Sequence, residues 1–123
     1  YFVFISIRGH TMSTEEQLEE LDNNMQEAKH FIDIKESTLK LFKNREFRKV
    51  VLDYYFKEEA ARLVMAKSSA LSEDQKKLID NMIYGIGALS NFFDSVLTRG
   101  MQAEQAYRDD ENAKTEILQE DLS

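Results

Sequence analysis

The sequence contains no cysteine, no proline and no tryptophan, and it has only four glycines among 123 residues. The absence of cysteine excludes disulfide bonds, zinc–thiolate sites and thiol nucleophiles from this chain. Proline breaks helices and glycine often marks turns, so their scarcity favours long, uninterrupted helices over a fold of strands and turns. No apolar run reaches the roughly 18 residues that a membrane-spanning helix requires.

The composition is that of a folded, acidic protein. Hydrophobic residues make up 42% of the chain, and eight Phe and five Tyr are too many for a disordered protein, although 32% of the residues are charged. The formal net charge of −7 argues against binding of nucleic acid or of an anionic membrane by the surface as a whole. We therefore expect a single helical domain over residues 12–123, with a modest core.

Residues 1–11 differ from the rest of the chain. They are β-branched and aromatic and contain no acidic residue, whereas Met12 followed by Ser-Thr-Glu-Glu resembles a natural translation start. This leader could be non-native sequence, upstream reading frame or a true extension that adds a strand to a partner. It is a poor signal peptide, because its apolar run is short and no small-residue cleavage site follows.

The first helix is predicted to begin at Ser13, which forms a capping box with Glu16. Apolar residues then alternate at steps of three and four, as in a coiled-coil seam that only one lysine interrupts. The seam comprises Leu18, Leu21, Met25, Ala28, Ile32, Lys35, Leu39 and Phe42. Asn44 predicts the break after this helix, because asparagine is favoured in caps and turns.

Two further helices are predicted, over residues 46–67 and 73–118, with a second capping box formed by Ser72 and Gln75. The buried face of the last helix is expected to comprise Leu78, Met82, Ile86, Leu89, Phe93, Val96 and Met101. Gly85 and Gly87 leave a patch where a neighbouring backbone could pack closely, and Gly100 could end, kink or loosen the helix. The predicted fold class is all-α: three long antiparallel helices in a hairpin or bundle, with an acidic, partly helical C-terminal tail.

No pattern of residues indicates a catalytic, cofactor-binding or metal-binding site. Glu27 and His30 have the Glu-x-x-His spacing of carboxylate-bridged di-metal bundles, but they lie off the apolar seam and the spacing occurs only once. No nucleophile elbow or glycine-rich phosphate loop is present. The sequence therefore predicts no catalytic, cofactor-binding or metal-binding residues, and we expect that the protein is not an enzyme.

Two surface features could bind a partner. Five bases fall within ten residues from Lys40 to Lys49, opposed only by Glu46. They could contact phosphates or an acidic protein surface, or simply complement the end of the helix dipole. A third possibility is that the acidic termini and this basic middle allow head-to-tail contacts between copies. Neighbouring aromatic residues cannot all face one side of a helix, so some are left for a partner or for a covering C-terminal segment. The candidate partner-binding residues are Lys43, Arg45, Arg48, Tyr54, Tyr55, Phe56, Phe92 and Phe93.

Four stretches carry a family resemblance: STEEQLEELDNNMQEAKHFI, NREFRKVVLDYYFKEEAARLV, NMIYGIGALSNFFDSVL and AYRDDENAKTEILQED. They resemble a family of small helical proteins encoded among the virion and assembly genes of tailed bacteriophages, mainly short-tailed ones. The resemblance covers nearly the whole chain after the leader. Its features are packing patterns and include no catalytic motif.

The resemblance implies a non-enzymatic structural or assembly protein, present in several copies in the virion after assembly in the host cytoplasm. Its expected partners are capsid, portal or tail proteins and further copies of itself, without a membrane or a cofactor. A further hypothesis is a scaffolding factor that acts in assembly and then leaves the particle. The main alternative is a small acidic inhibitor or adaptor that binds a host protein. In that case the acidic rows, such as Glu15, Glu16, Glu19 and Glu20, would form the binding surface.

Overall fold

The structure is a computed structural model that describes residues 13–122, so the leader over residues 1–11 lies outside the described part. Helix α1 spans Thr14–Lys43 and helix α3 spans Glu73–Leu122. Between them, α2 consists of three consecutive segments: α-helical Arg45–Phe47, π-helical Arg48–Glu59 and α-helical Ala60–Ser68. The described residues contain no strand, which confirms the all-α class.

Local caps set the start of each helix. The Ser13 hydroxyl accepts a hydrogen bond from the backbone of Glu16 at 3.1 Å, and the Asn44 side chain accepts one from the backbone of Phe47 at 2.9 Å. At the start of α3, the Ser72 hydroxyl accepts from the backbone of Gln75 at 3.1 Å. The Gln75 side chain in turn accepts from the backbone of Ser72 at 3.2 Å. Both predicted capping residues and the predicted break at Asn44 are therefore confirmed.

Because of the π-helical segment, the residues of α2 that face inward differ from those that a period of 3.6 residues predicts. Its backbone bonds link residues five apart, so each turn holds more residues than an α-helical turn. Val50, Tyr54 and Val64, which the period places in one row with Phe47, are each at least 50% exposed. The inward row instead advances in steps of four through Val51, Tyr55, Glu59 and Leu63.

The contacts of the described chain group into two units, one formed by residues 13–36 with 97–122 and the other by residues 37–96. In the first unit, α1 and α3 are joined by bonds from Thr14 to Asp121 (3.3 Å) and from Lys114 to Asp22 (2.8 Å). A third bond joins Lys35 to Glu104 at 2.6 Å. Residues further along α1 bind residues that come earlier in α3. The two stretches therefore run in opposite directions within this unit. Its fully buried apolar residues are Leu21, Ala28 and Ala103.

Gly100 provides the close approach in this first unit. It is buried, and a Cβ built on it would clash with the Cβ of Lys35 and lie 2.7 Å from its Cδ atom. The side chain of Lys35 thus crosses Gly100 and ends at Glu104, one turn further along α3. The close packing was expected at Gly85 and Gly87, but a Cβ on Gly87 would meet open space.

Helix α3 continues without a break through Gly100 to Leu122. The expected partly helical tail is therefore part of the last helix. One glycine destabilises a helix by about 1 kcal/mol relative to alanine. The contacts that α3 makes with α1 on both sides of Gly100 offset this loss. Among the described helices, none is both long and apolar enough to span a membrane.

The buried face of α3 differs in part from the predicted one. Ile86 and Val96 are buried as expected, but Leu78, Met82 and Met101 are 58%, 46% and 62% exposed. On α1, Thr38 is buried in place of its neighbour Leu39. The second unit has its core at Leu63, Thr38, Ile86 and Val96.

Candidate contact surface

An aromatic cluster lies in the second unit, with Phe93 at its centre. The ring of Phe93 is 5.2 Å from that of Phe42, 5.8 Å from Phe47 and 5.7 Å from Phe92, measured between centroids. Phe56 completes the cluster at 6.4 Å. These separations, and the near-perpendicular rings of Phe42 and Phe47 against Phe93, are typical of favourable aromatic pairs.

The turn between α1 and α2 brings two members of this cluster together. Phe42 lies at the end of α1 and Phe47 near the start of α2, and their rings stack at 6.0 Å with an interplanar angle of 17°. Asn44 holds the turn, since its side chain bonds the backbone of Phe47 and its own backbone N–H donates to Leu41 at 3.0 Å. A local cap therefore positions two of the five rings of the aromatic cluster.

The aromatic cluster is open to solvent at Phe92, which is 57% exposed, while its other four members are half-buried. A large exposed ring that continues into a packed cluster differs from an isolated surface apolar residue. Contiguous apolar patches of this kind mark contact sites on soluble proteins.

The two predicted tyrosines differ in position. Tyr55 is half-buried beside Phe56 at 5.9 Å, and its hydroxyl lies 3.8 Å from a Cβ built on Gly85. Tyr54 is 50% exposed and makes no ring contact with another described aromatic residue. The structure thus brings Phe56, Phe92 and Phe93 into one cluster and leaves Tyr54 outside it.

Three bases lie close in the chain to members of the aromatic cluster, and we call Lys43, Arg45 and Arg48 the basic rim. Lys43 follows Phe42 in the chain, while Arg45 and Arg48 lie on either side of Phe47. All three are exposed, and none forms an ion pair with another described residue. Their charges are therefore available to an acidic partner.

The charges of the chain are divided unequally between the two units. The first unit carries fifteen acidic and five basic side chains, for a net charge of −10, and we call it the acidic unit. The second unit carries eight acidic and ten basic side chains, for a net charge of +2. The excess of acidic residues therefore lies entirely in the first unit, although the total charge of the chain suggests a uniformly acidic protein.

No protein-family model, no curated protein and no solved structure matches this chain. Within residues 13–122, no three His, Asp or Glu side chains form a group that could hold a metal ion. Glu27 and His30 are both exposed on α1.

Phe42 and Phe47 were not among the predicted contact residues. Both were assigned to helix seams, where an aromatic residue is ordinarily part of the core. Their positions on either side of Asn44 indicate that the two rings lie together, because a capped turn brings the residues that flank it close to each other.

A buried carboxylate lies on the packed face of the acidic unit. Asp110 is only 8% exposed, and its Oδ2 atom has no hydrogen-bond partner within the described chain. Burial raises the pKa of Asp110 above its ordinary value, and the neighbouring charge of Asp109 raises this pKa further. At neutral pH the ionised group should therefore destabilise the fold.

Replacing Asp110 with asparagine should increase the free energy of unfolding at pH 7 by about 1–3 kcal/mol, because the buried charge is removed. The native state holds the Asp110 proton more tightly than the unfolded chain does. The wild-type protein should therefore regain this stability as the pH falls through the raised pKa toward about 4. Urea unfolding of both proteins across this range measures the difference, and Asp33→Asn, at an exposed position of the same unit, is the matched control. A constant wild-type-to-variant difference from pH 7 to pH 4 would contradict the assignment.

Proposed function

We propose that this protein is a non-enzymatic bacteriophage structural or assembly protein, present in several copies in the virion and bound to the head, portal or tail. The observation that carries the proposal is the solvent-open aromatic cluster with its basic rim. The resemblance to helical proteins of phage virion and assembly modules supports the same function. The proposal includes a bundle of three long antiparallel helices as the overall arrangement.

The surface has the chemistry of a protein–protein contact. Protein interfaces typically have an apolar centre, enriched in aromatic residues, and a polar rim. Here Phe92 and Phe93 form the centre and the basic rim supplies charge, which speeds encounter and orients the partner. A complementary partner has an apolar surface with carboxylates nearby, and the proposed partners are a capsid, portal or tail protein or another copy.

Reversing the charge of the basic rim should reduce incorporation into particles. In the triple variant Lys43→Glu, Arg45→Glu, Arg48→Glu, repulsion replaces attraction at the contact, and we expect incorporation to fall about tenfold or more. Quantitative mass spectrometry of purified particles measures the effect. The control carries Lys57→Glu, Lys76→Glu and Lys77→Glu, which change the net charge of the same unit equally. Because Lys57 and Lys76 pair with Asp53 and Glu73, circular dichroism verifies that the control remains folded. Wild-type incorporation of the rim variant would remove the basic rim from the contact.

The charge of −10 on the acidic unit favours a second candidate function. An inhibitor or adaptor could present rows of carboxylates, including Glu15, Glu16 and Glu19, to a basic surface on a host protein. This function predicts a salt-sensitive, one-to-one complex with a host nuclease or polymerase. Pull-downs at low salt that capture no host protein would count against it.

A further inference from the structure

The acidic unit gathers exposed acidic residues at the end where α1 begins and α3 ends. The bond of 3.3 Å between Thr14 and Asp121 places these two helix ends side by side. We call the following exposed residues the acidic end: Glu15, Glu16, Glu19, Glu116, Glu120 and Asp121. Two exposed leucines lie on the same stretch of α3, Leu118 at 44% and Leu122 at 89% exposure.

The acidic end and the aromatic cluster with its basic rim are complementary in charge, with six exposed acidic residues on one and three exposed bases on the other. Each also presents exposed apolar side chains, Leu118 and Leu122 on one and Phe92 on the other. Opposite charges orient a contact, and apolar area stabilises it.

We propose that the partner seated on the aromatic cluster and basic rim is the acidic end of a second copy of this chain. The inference rests on the proposed function, since it identifies the partner of the same surface in a multi-copy protein. The two contacting surfaces are different parts of the chain. A pair of bound copies therefore leaves one acidic end and one basic rim unoccupied, and each can bind a further copy. Such head-to-tail contacts produce a closed ring, or an open filament if the rotation between copies does not close.

The experiment uses the purified full chain and two charge-reversal variants. The rim variant is Lys43→Glu, Arg45→Glu, Arg48→Glu, and the end variant is Glu15→Lys, Glu19→Lys, Glu116→Lys, Glu120→Lys. The end variant keeps two of the six acidic side chains and gains four lysines, so the charge of its end is positive. The end variant spares Ser13 and Glu16, which cap α1, and lysines near the C-terminus of α3 suit the helix dipole. Circular dichroism verifies that both variants remain helical.

Sedimentation velocity at about 50 mM and about 500 mM salt then measures self-association, because salt screens exposed charges strongly over this range. The wild-type chain should associate at low salt, with an apparent dissociation constant at least about tenfold weaker at high salt. Each variant alone should be monomeric, since its two surfaces carry the same sign of charge. An equimolar mixture of the two should associate again, because the reversed end of one variant matches the reversed rim of the other.

A wild-type chain that is monomeric at low salt would overturn the inference, as would a mixture of variants that fails to associate. Either result leaves the proposed function standing if the protein is still found in particles at a fixed copy number. Absence from particles would instead overturn the proposed function, so the two failures are distinguishable.

Discussion

Replacement of Gly100 with alanine should lower the free energy of unfolding by about 1–2 kcal/mol. The added Cβ would clash with Lys35 and lie 2.7 Å from its Cδ and 2.8 Å from its Cγ atom. Lys35 cannot move away freely, because its ammonium group binds Glu104 at 2.6 Å. Overpacking costs about 1–3 kcal/mol, and the clash with the Lys35 Cβ, which is fixed to the backbone of α1, favours the upper part of this range. That cost exceeds the gain of about 1 kcal/mol that alanine brings to a helix.

Gly87→Ala is the matched control, since it is the same substitution in the same helix with open space around the new methyl group. It should increase the free energy of unfolding by about 0.5–1 kcal/mol. Urea denaturation followed by circular dichroism measures both values. If the two substitutions stabilise the protein equally, Gly100 is not the point where α1 and α3 pack closely.

Replacement of Phe93 with alanine should lower the free energy of unfolding by about 2–4 kcal/mol, a range that allows for partial burial of the ring. Phe93 contacts the rings of Phe42, Phe47, Phe56 and Phe92, so its loss leaves a void that helices α1, α2 and α3 all border. Thermal and urea unfolding measure the loss.

The substitution Phe92→Ala, next to Phe93, should affect binding to a partner but leave the stability of the fold nearly unchanged. Because Phe92 is 57% exposed, its removal should change the free energy of unfolding by less than about 1 kcal/mol. A contact anchor of this type typically contributes about 2 kcal/mol or more to association, so incorporation into particles should fall by more than tenfold. Normal incorporation of a stable Phe92→Ala protein would show that the open side of the cluster is not a contact.

The helix starts could be predicted from the sequence because capping is local. The side chains of Ser13, Asn44 and Ser72 bond backbone groups three residues away, and such bonds need no tertiary partner. The composition likewise predicted the all-α class, through the lack of proline and the small number of glycines.

The buried faces could be predicted only in part, because they depend on distant partners. Leu78 and Met101 fit the apolar period of α3, yet they are exposed. Beside Met101, the small residues Gly100 and Ala103 are buried instead. Small residues contribute little to a hydrophobic pattern but permit the closest packing. Lys35, which interrupts the seam of α1, is explained only by its contact with Gly100.

The contact surface could be predicted in the same partial way. Phe56, Phe92 and Phe93 were selected because helical spacing could not bury them all, and the structure places them in one cluster. Phe42 and Phe47 were missed because each was assigned to a seam, and Tyr54 lies outside the cluster. The role of these residues in binding stays a prediction.

Quantitative mass spectrometry of purified phage particles, compared with the infected-cell lysate, tests the proposed function most directly. The proposal predicts the protein in particles at a fixed stoichiometry of several copies, which rises and falls with the major virion proteins across a density gradient. A protein abundant in the lysate but missing from the particles would contradict its assignment as a virion component, and the acidic unit would then be the surface to test.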